Sequence, residues 1–263
     1  MYKRSNEAYT IYKNTNSQIK EDYTVYKGFD YSDELTIPQI KKIKEGQKIM
    51  TDMFREFDKI CRENKLVYWC VGGTFIGVVR HKGWIPFDGD IDLAMLEEDY
   101  EKFKQVTKDN KKFNSLYFIQ DKKTDKNYHS KHSKIRHKFS CYENSQDGKN
   151  FHNGLMMDIF LYKHIKEENL LHSITTNFLN WKNDSIKHHP YDRVFPLNED
   201  FYFEDIKVYM PNKYKEYSSL IDEHNYPPKM ISKYRRKPHE GDIEPNQICD
   251  FHSKMYSEMY PKK

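Results

Sequence analysis

Apolar positions fall into short blocks whose spacing changes along the chain. Ile40, Ile43, Met50, Phe54, Phe57 and Cys61 recur at helical spacing. With Thr36 and Pro38 marking the start, they predict an amphipathic helix over residues 36–65. The unbroken apolar run 67–71 predicts a buried strand, stopped by Gly72-Gly73. Thr74 is placed to cap a short helix through Val79, and residues 83–86 form a turn. A strand over 90–95, a charged helix over 97–108, and strands at 116–120 and 134–142 follow. After a polar loop at 144–154, the most apolar run of the chain, 155–162, predicts another buried strand. A helix is expected over 165–188, a strand pair over 201–210, and a helix from Asn212 to about 224. Residues 1–33 are polar and aperiodic, and Pro227-Pro228 opens a basic, irregular tail. The expected organisation is an extension (1–33), a catalytic-size domain (34–228) and a tail packed on or beside it (229–263).

Composition narrows the class. Of 263 residues, 32% are charged and 37% hydrophobic, which leans toward a loose chain. The 15% aromatic content argues for a packed core built from large rings, since disordered chains are poor in aromatics. Lys and Arg total 44 and Asp and Glu 40, a net charge of +4. That is too small for a chain that coats nucleic acid. No stretch approaches the ~18–20 apolar residues of a membrane span, and the start shows no apolar signal-peptide core. Cys61, Cys70, Cys141 and Cys249 form no Cys-x-x-Cys pair, so neither a zinc ribbon nor a disulfide framework is expected. The expectation is a soluble, cytoplasmic protein in a reducing compartment.

Two features carry chemistry. Asp88-Gly89-Asp90-Ile91-Asp92 places acids at alternate positions, so that they project to one side of a strand. Close carboxylates repel unless a cation lies between them, and such oxygen-rich sites suit Mg²⁺ or Mn²⁺. An EF-hand loop is excluded, because Leu93 and Asp99 stand where it needs Gly and Glu. Asp158 sits alone inside the apolar run 155–162. Burying it unpaired would be costly, so it either shares that metal or pairs with a core cation such as Arg136. The second feature is Gly72-Gly73-Thr74, where a strand turns into a helix and backbone N–H groups can approach a phosphate. Strand, Gly-Gly, helix, turn and a strand with paired acids is the order that a nucleotidyltransferase-type phosphoryl-transfer site needs.

Residues 72–92, Gly-Gly-Thr-Phe-Ile-Gly-Val-Val-Arg-His-Lys-Gly-Trp-Ile-Pro-Phe-Asp-Gly-Asp-Ile-Asp, resemble the signature of the LicD family of phosphocholine transferases and fukutin-related proteins. Asn153-Gly154-Leu155-Met156-Met157-Asp158-Ile159-Phe160 is similar to a later family segment, as is the stretch around 201–217. The resemblance spans about residues 37–228. It implies an α+β, nucleotidyltransferase-like (polymerase-beta-type) mixed sheet flanked by helices, with additional C-terminal helices. It also implies a metal-dependent transferase that moves a phosphorylated alcohol, phosphocholine or ribitol phosphate, from a CDP-linked donor to a glycan or glycoconjugate hydroxyl.

On this reading Asp88, Asp90, Asp92 and Asp158 bind Mg²⁺ or Mn²⁺. Asp90, Asp92 and Asp158 are catalytic, with Asp158 either a metal ligand or the base for the acceptor hydroxyl. Gly72, Gly73, Thr74, Arg80 and Arg136 contact donor phosphates. Arg80 pairing with Asp88, and Arg136 lying on a solvated basic strand, are the alternatives. Trp84 and Phe87 are expected in the core rather than on a base. His129, His132, His188 and His189 lack zinc-site partners and are expected at the surface, while His152 adjoins the Asp158 segment. Two rival functions use the same residues: transfer of a nucleoside monophosphate to a small molecule, protein or RNA end, and non-enzymatic binding of nucleic acid. Acids at 88–92 would repel the latter unless metal-loaded.

Overall fold

The computed structural model describes residues 37–85, 88–128, 130–143, 152–175, 188–217 and 242–245. Helix α1 (Ile37–Glu63) is the expected amphipathic helix, and one stripe of it, including Ile43, Met50, Phe54, Phe57 and Cys61, is buried. In chain order there follow β1 (Tyr68–Cys70), α2 (Gly72–His81), β2 (Ile91–Leu96), α3 (Glu97–Thr107), α4 (Lys111–Leu116), β3 (Tyr117–Gln120), β4 (Ser133–His137), β5 (Cys141–Glu143), β6 (Met156–Ile165), β7 (Leu170–Ser173), β8 (His188–Pro190), α5 (Tyr191–Val194), β9 (Asn198–Phe203), β10 (Ile206–Met210), α6 (Tyr214–Tyr217) and β11 (Asp242–Glu244).

A mixed sheet runs in the order β1-β2-β6-β4-β3, with β7 on the far end of β6 and β8 beside β7. β2 and β6 pair in parallel, and the other pairs of this sheet are antiparallel. This mixture of helices with a mixed sheet agrees with the expected α+β class. Alternation then sorts the strands. Ile91, Leu93, Met95, Ile159 and Ile135 face α1 and the α3 residues Tyr100 and Phe103. Trp69, Ala94, Phe160 and Tyr162 face the other way, where Leu171 and Val194 cover them. Asp92 and Asp158 belong to this second face, two residues before Ala94 and Phe160. Both central strands are therefore buried on both sides, as their apolar runs require. The acids sit where the parallel pair begins.

Several expectations change. Residues 165–188 are not one helix among the described residues: β6 continues to Ile165, Asn169 turns the chain at φ 52, and β7 and β8 add to the sheet. Pairing with β6 outweighs the local pattern there; residues 176–187 lie outside the described residues. The stretch 134–142 divides into β4 and β5. α4 was not legible, and Asn110 caps it by accepting the Phe113 N–H at 2.9 Å. α2 starts at Gly72 rather than behind a Thr74 cap. The tail is not irregular throughout: β11 pairs with β5, and Ile243 is buried in the main core. Cys61 and Cys70 are buried free thiols, but Cys141 is disulfide-bonded. Cys-x-x-Cys spacing carries no information about such a bridge. The extension 1–33, Phe87, the loop residues 144–151, and the tail apart from 242–245 lie outside the described residues.

Three imidazoles couple this fold to pH. Burial lowers His81, His137 and His189 from an ordinary value of 6.5 to about 4 each. Below pH 6.5 the unfolded chain binds protons that the native chain refuses, so the stability they contribute is complete above 6.5 and is lost as pH falls toward 4. The melting temperature should therefore drop on going from about pH 7 to about pH 5, with net proton uptake on unfolding. Calorimetry in buffers of different ionisation enthalpy reads that uptake, and a melting temperature flat across this range would contradict it.

Candidate active site

The loop before β2 delivers Asp90, β2 delivers Asp92, and β6 delivers Asp158. Asp92 and Asp158 are register partners on adjacent parallel strands. One carboxylate oxygen from each of the three lies within 4.8 Å of the others, and Asp158 is 6% exposed. Burial, then the charges of Asp90, Asp158 and Asp88, push the Asp92 carboxyl well above the usual carboxylate range. Like charges thus crowd around Asp92.

The glycine turn fixes Asp92. The Gly73 N–H donates to Asp92 Oδ2 at 2.9 Å, and the Asp92 N–H donates to Thr74 Oγ1 at 2.8 Å. Gly72 has φ +52, and a Cβ there would collide with the Asp92 carboxylate. A Cβ on Gly73 would come within 2.8 Å of Asp88 Oδ2. Both glycines are needed because acid and backbone approach so closely. The Gly-Gly-Thr segment, which the pattern assigned to phosphate, positions a carboxylate in this structure. Gly72, at the opening of α2, remains exposed.

Asp158 has a partner that the sequence reading did not name. Lys134, its register partner on β4, places Nζ 2.5 Å from Asp158 Oδ1. His132 places Nε2 3.1 Å from Oδ2. His132 is itself held by Ser130 Oγ, 2.9 Å from Nδ1, and its ring stacks on Phe160 at 5.2 Å. Burial alone would raise the Asp158 carboxyl, but Lys134 and His132 beside it hold it below the usual carboxylate range. His132 is thus a site neighbour rather than a surface residue. The core cation beside Asp158 is Lys134 and not Arg136. The signal was present as Lys and Arg at alternate positions 134 and 136, but which residue meets Asp158 depends on β4–β6 register, which is non-local.

Arg136 is fully buried on the same face of β4, not on a solvated strand. Its Nε donates to Gln120 Oε1 and its Nη1 to the Gly154 carbonyl, both at 2.8 Å. Among the described residues its Nη2 has no hydrogen-bond partner. Gln120 in turn donates to Asp125 Oδ2 at 2.8 Å and to the His152 carbonyl at 2.9 Å. Arg136→Met should cost about 2 kcal/mol in urea unfolding by leaving two buried acceptors unpaired. An unchanged urea midpoint would contradict that bonding role.

The remaining candidates separate. Asp88 lies beside Gly73, outside the three-carboxylate group, and raises Asp92 through its charge. The Arg80 side chain lies outside the described residues. Trp84 is core: its Nε1–H donates to Thr51 Oγ1 at 2.9 Å and its ring meets Phe203 edge-on. His129 lies outside the described residues; His188 is exposed, but His189 is buried against Tyr217.

Among the described residues, Asp90, Asp92 and Asp158 are the one group of three acidic, His or Cys side chains close enough to share an ion. An all-carboxylate donor set fits a hard divalent cation of the Mg²⁺ or Mn²⁺ kind.

Over 130 residues the chain is 31% identical to the lipopolysaccharide cholinephosphotransferase LicD of Haemophilus influenzae, covering 48% of this chain and 46% of that protein. It is 31% identical over 94 residues to an uncharacterized protein of Rickettsia typhi, covering 32% and 30% of the two chains. An uncharacterized protein of Rickettsia prowazekii is 33% identical over 75 residues, 27% and 28% of the two. The chain spans less than half the length of these curated relatives. The family pattern described as LicD/FKTN/FKRP, nucleotidyltransferase domain, matches residues 65–213, a span that contains β1, the glycine turn, all three carboxylates and Lys134. This chain therefore belongs to the LicD/FKTN/FKRP family.

Proposed function

We propose that this chain is a metal-dependent phosphotransferase with a nucleotidyltransferase-like fold. It transfers a phosphorylated alcohol, of the phosphocholine or ribitol-phosphate type, from a CDP-linked donor to a glycan hydroxyl. The observation that carries this reading is the joining of Asp90, Asp92 and Asp158 at the mouth of the Gly72-Gly73 turn. Asp90 and Asp92, with Asp158 behind them, would hold Mg²⁺ or Mn²⁺. When bound, such an ion supplies charge neutralisation on the donor diphosphate and the departing nucleotide.

The chain's own groups do the rest. Gly73 and Thr74 keep the Asp92 carboxylate aimed. The exposed backbone of Gly72, at the start of a ten-residue helix, faces the donor phosphates, where helix-end N–H groups favour negative charge. The Arg136 guanidinium is fully buried on the sheet face that carries the acids, where it braces Gln120 and the Gly154 carbonyl. The phosphocholine assignment follows the name of the Haemophilus relative, and a glycan acceptor is in keeping with it.

Product analysis tests this. Full-length chain with Mg²⁺ or Mn²⁺, CDP-choline or CDP-ribitol, and a glycan acceptor should release CMP and label the glycan with the phosphorylated alcohol. Release of pyrophosphate from a nucleoside triphosphate, with no CMP from either donor, would favour nucleoside monophosphate transfer instead.

A further inference from the structure

The three carboxylates are not surrounded evenly. Asp92 meets the glycine turn, whereas Asp158 is gripped from β4. Lys134 is 8% exposed, it is the cross-strand register partner of Asp158, and its Nζ lies 2.5 Å from Oδ1. The same ammonium lies 3.4 Å from Met156 Sδ. This is a side chain enclosed in the sheet face, not a surface lysine that has swung inward. His132, anchored by Ser130 and stacked on Phe160, takes the other oxygen. Both Asp158 oxygens thus already carry a donor on the side away from Asp92.

We propose that Lys134 is a built-in second cation of this centre: its ammonium holds at Asp158 the place that a second divalent ion would take, so the site loads one ion rather than two. The inference rests on the metal-dependent reading above. Electrostatics agrees with it: the ammonium already offsets the Asp158 carboxylate at 2.5 Å, so a second divalent ion there would be forced against a like charge in a buried pocket. Lys134 is thereby a positioning residue. It keeps Asp158 ionised and oriented next to the ion held by Asp90 and Asp92.

The test is Mn²⁺ binding to the full chain, read from the electron paramagnetic resonance signal of free Mn²⁺. Wild type should take up one Mn²⁺ per chain, and Lys134→Met should take up a second one. Lys134→Met should also melt well below wild type in EDTA and recover most of that loss in Mn²⁺, because a metal replaces the missing ammonium. Lys134→Arg, which keeps a cation, should stay at one ion. Two ions per wild-type chain would overturn the inference while leaving the metal-dependent reading intact. So would a Lys134→Met chain that gains no ion, or that stays unfolded in Mn²⁺. No Mn²⁺ on wild type would overturn both.

Discussion

Asp92→Asn is expected to abolish transfer while making the metal-free protein more stable. The two effects share one cause. Asp92 lies among like charges in a buried setting that holds its carboxyl well above the usual range, so its ionised form is strained in the absence of a cation. An amide removes that repulsion, and its oxygen can still accept the Gly73 N–H now donated to Oδ2 at 2.9 Å. Local structure is therefore kept and apo stability rises. The amide no longer supplies the anionic oxygen that a divalent ion needs, and turnover should fall by on the order of 10³-fold. The measurement is a pair: a melting curve in EDTA and initial rates with metal. A variant that melts lower and keeps full activity would mean that Asp92 is a structural acid rather than a ligand. Asp90→Ala should lose activity to a similar degree.

The second large effect is expected from a residue with no functional group. Gly72→Ala places a methyl into the Asp92 carboxylate at a backbone angle, φ +52, that side chains disfavour. Left-handed backbone costs roughly 1–2 kcal/mol for a non-glycine residue. The greater consequence is displacement of Asp92. Shifts of about 1 Å at a reacting centre cost about 10²-fold in rate, so Gly72→Ala should lose about that much activity with only a modest drop in melting temperature. Lys82→Gly is a control, since Lys82 also has positive φ, 53°, at the end of the same helix. Relieving strain there should stabilise the chain slightly. If Gly72→Ala loses stability but no activity, the turn serves the fold alone.

The parts of the site that could be read in the sequence are those that one short stretch contains. β1, the Gly-Gly turn, α2 and β2 follow each other within residues 68–96, so their contacts are local and the motif shows them directly. Asp158 was legible for another reason: a lone acid inside an apolar run needs a partner wherever the run is buried. Its actual partners were not legible. Lys134 reaches Asp158 only because β4 lies antiparallel to β6 in one particular register, and a slip of one residue would turn Lys134 to the other face. His132 depends on the same register. The segment 165–188 misled because β7 and β8 gain their stability from pairing beyond β6, and that edge is invisible to periodicity. Likewise, nothing in a basic, irregular tail announces a strand, yet Asp242–Glu244 completes a two-stranded sheet with β5.

The central claim is that Asp90, Asp92 and Asp158 form a cation site that recruits a CDP-linked donor. The most direct measurement is the melting temperature of the full chain with Mn²⁺ and CDP-choline together, for wild type and for Asp92→Asn, each against its own EDTA baseline. A ligand that binds only the folded state raises stability by about 2.7 kcal/mol at a hundredfold excess over its Kd. Wild type should show a rise of several degrees that needs both components, and Asp92→Asn should show none. An equal rise in the variant, or no rise in wild type with either CDP-choline or CDP-ribitol, would contradict the claim.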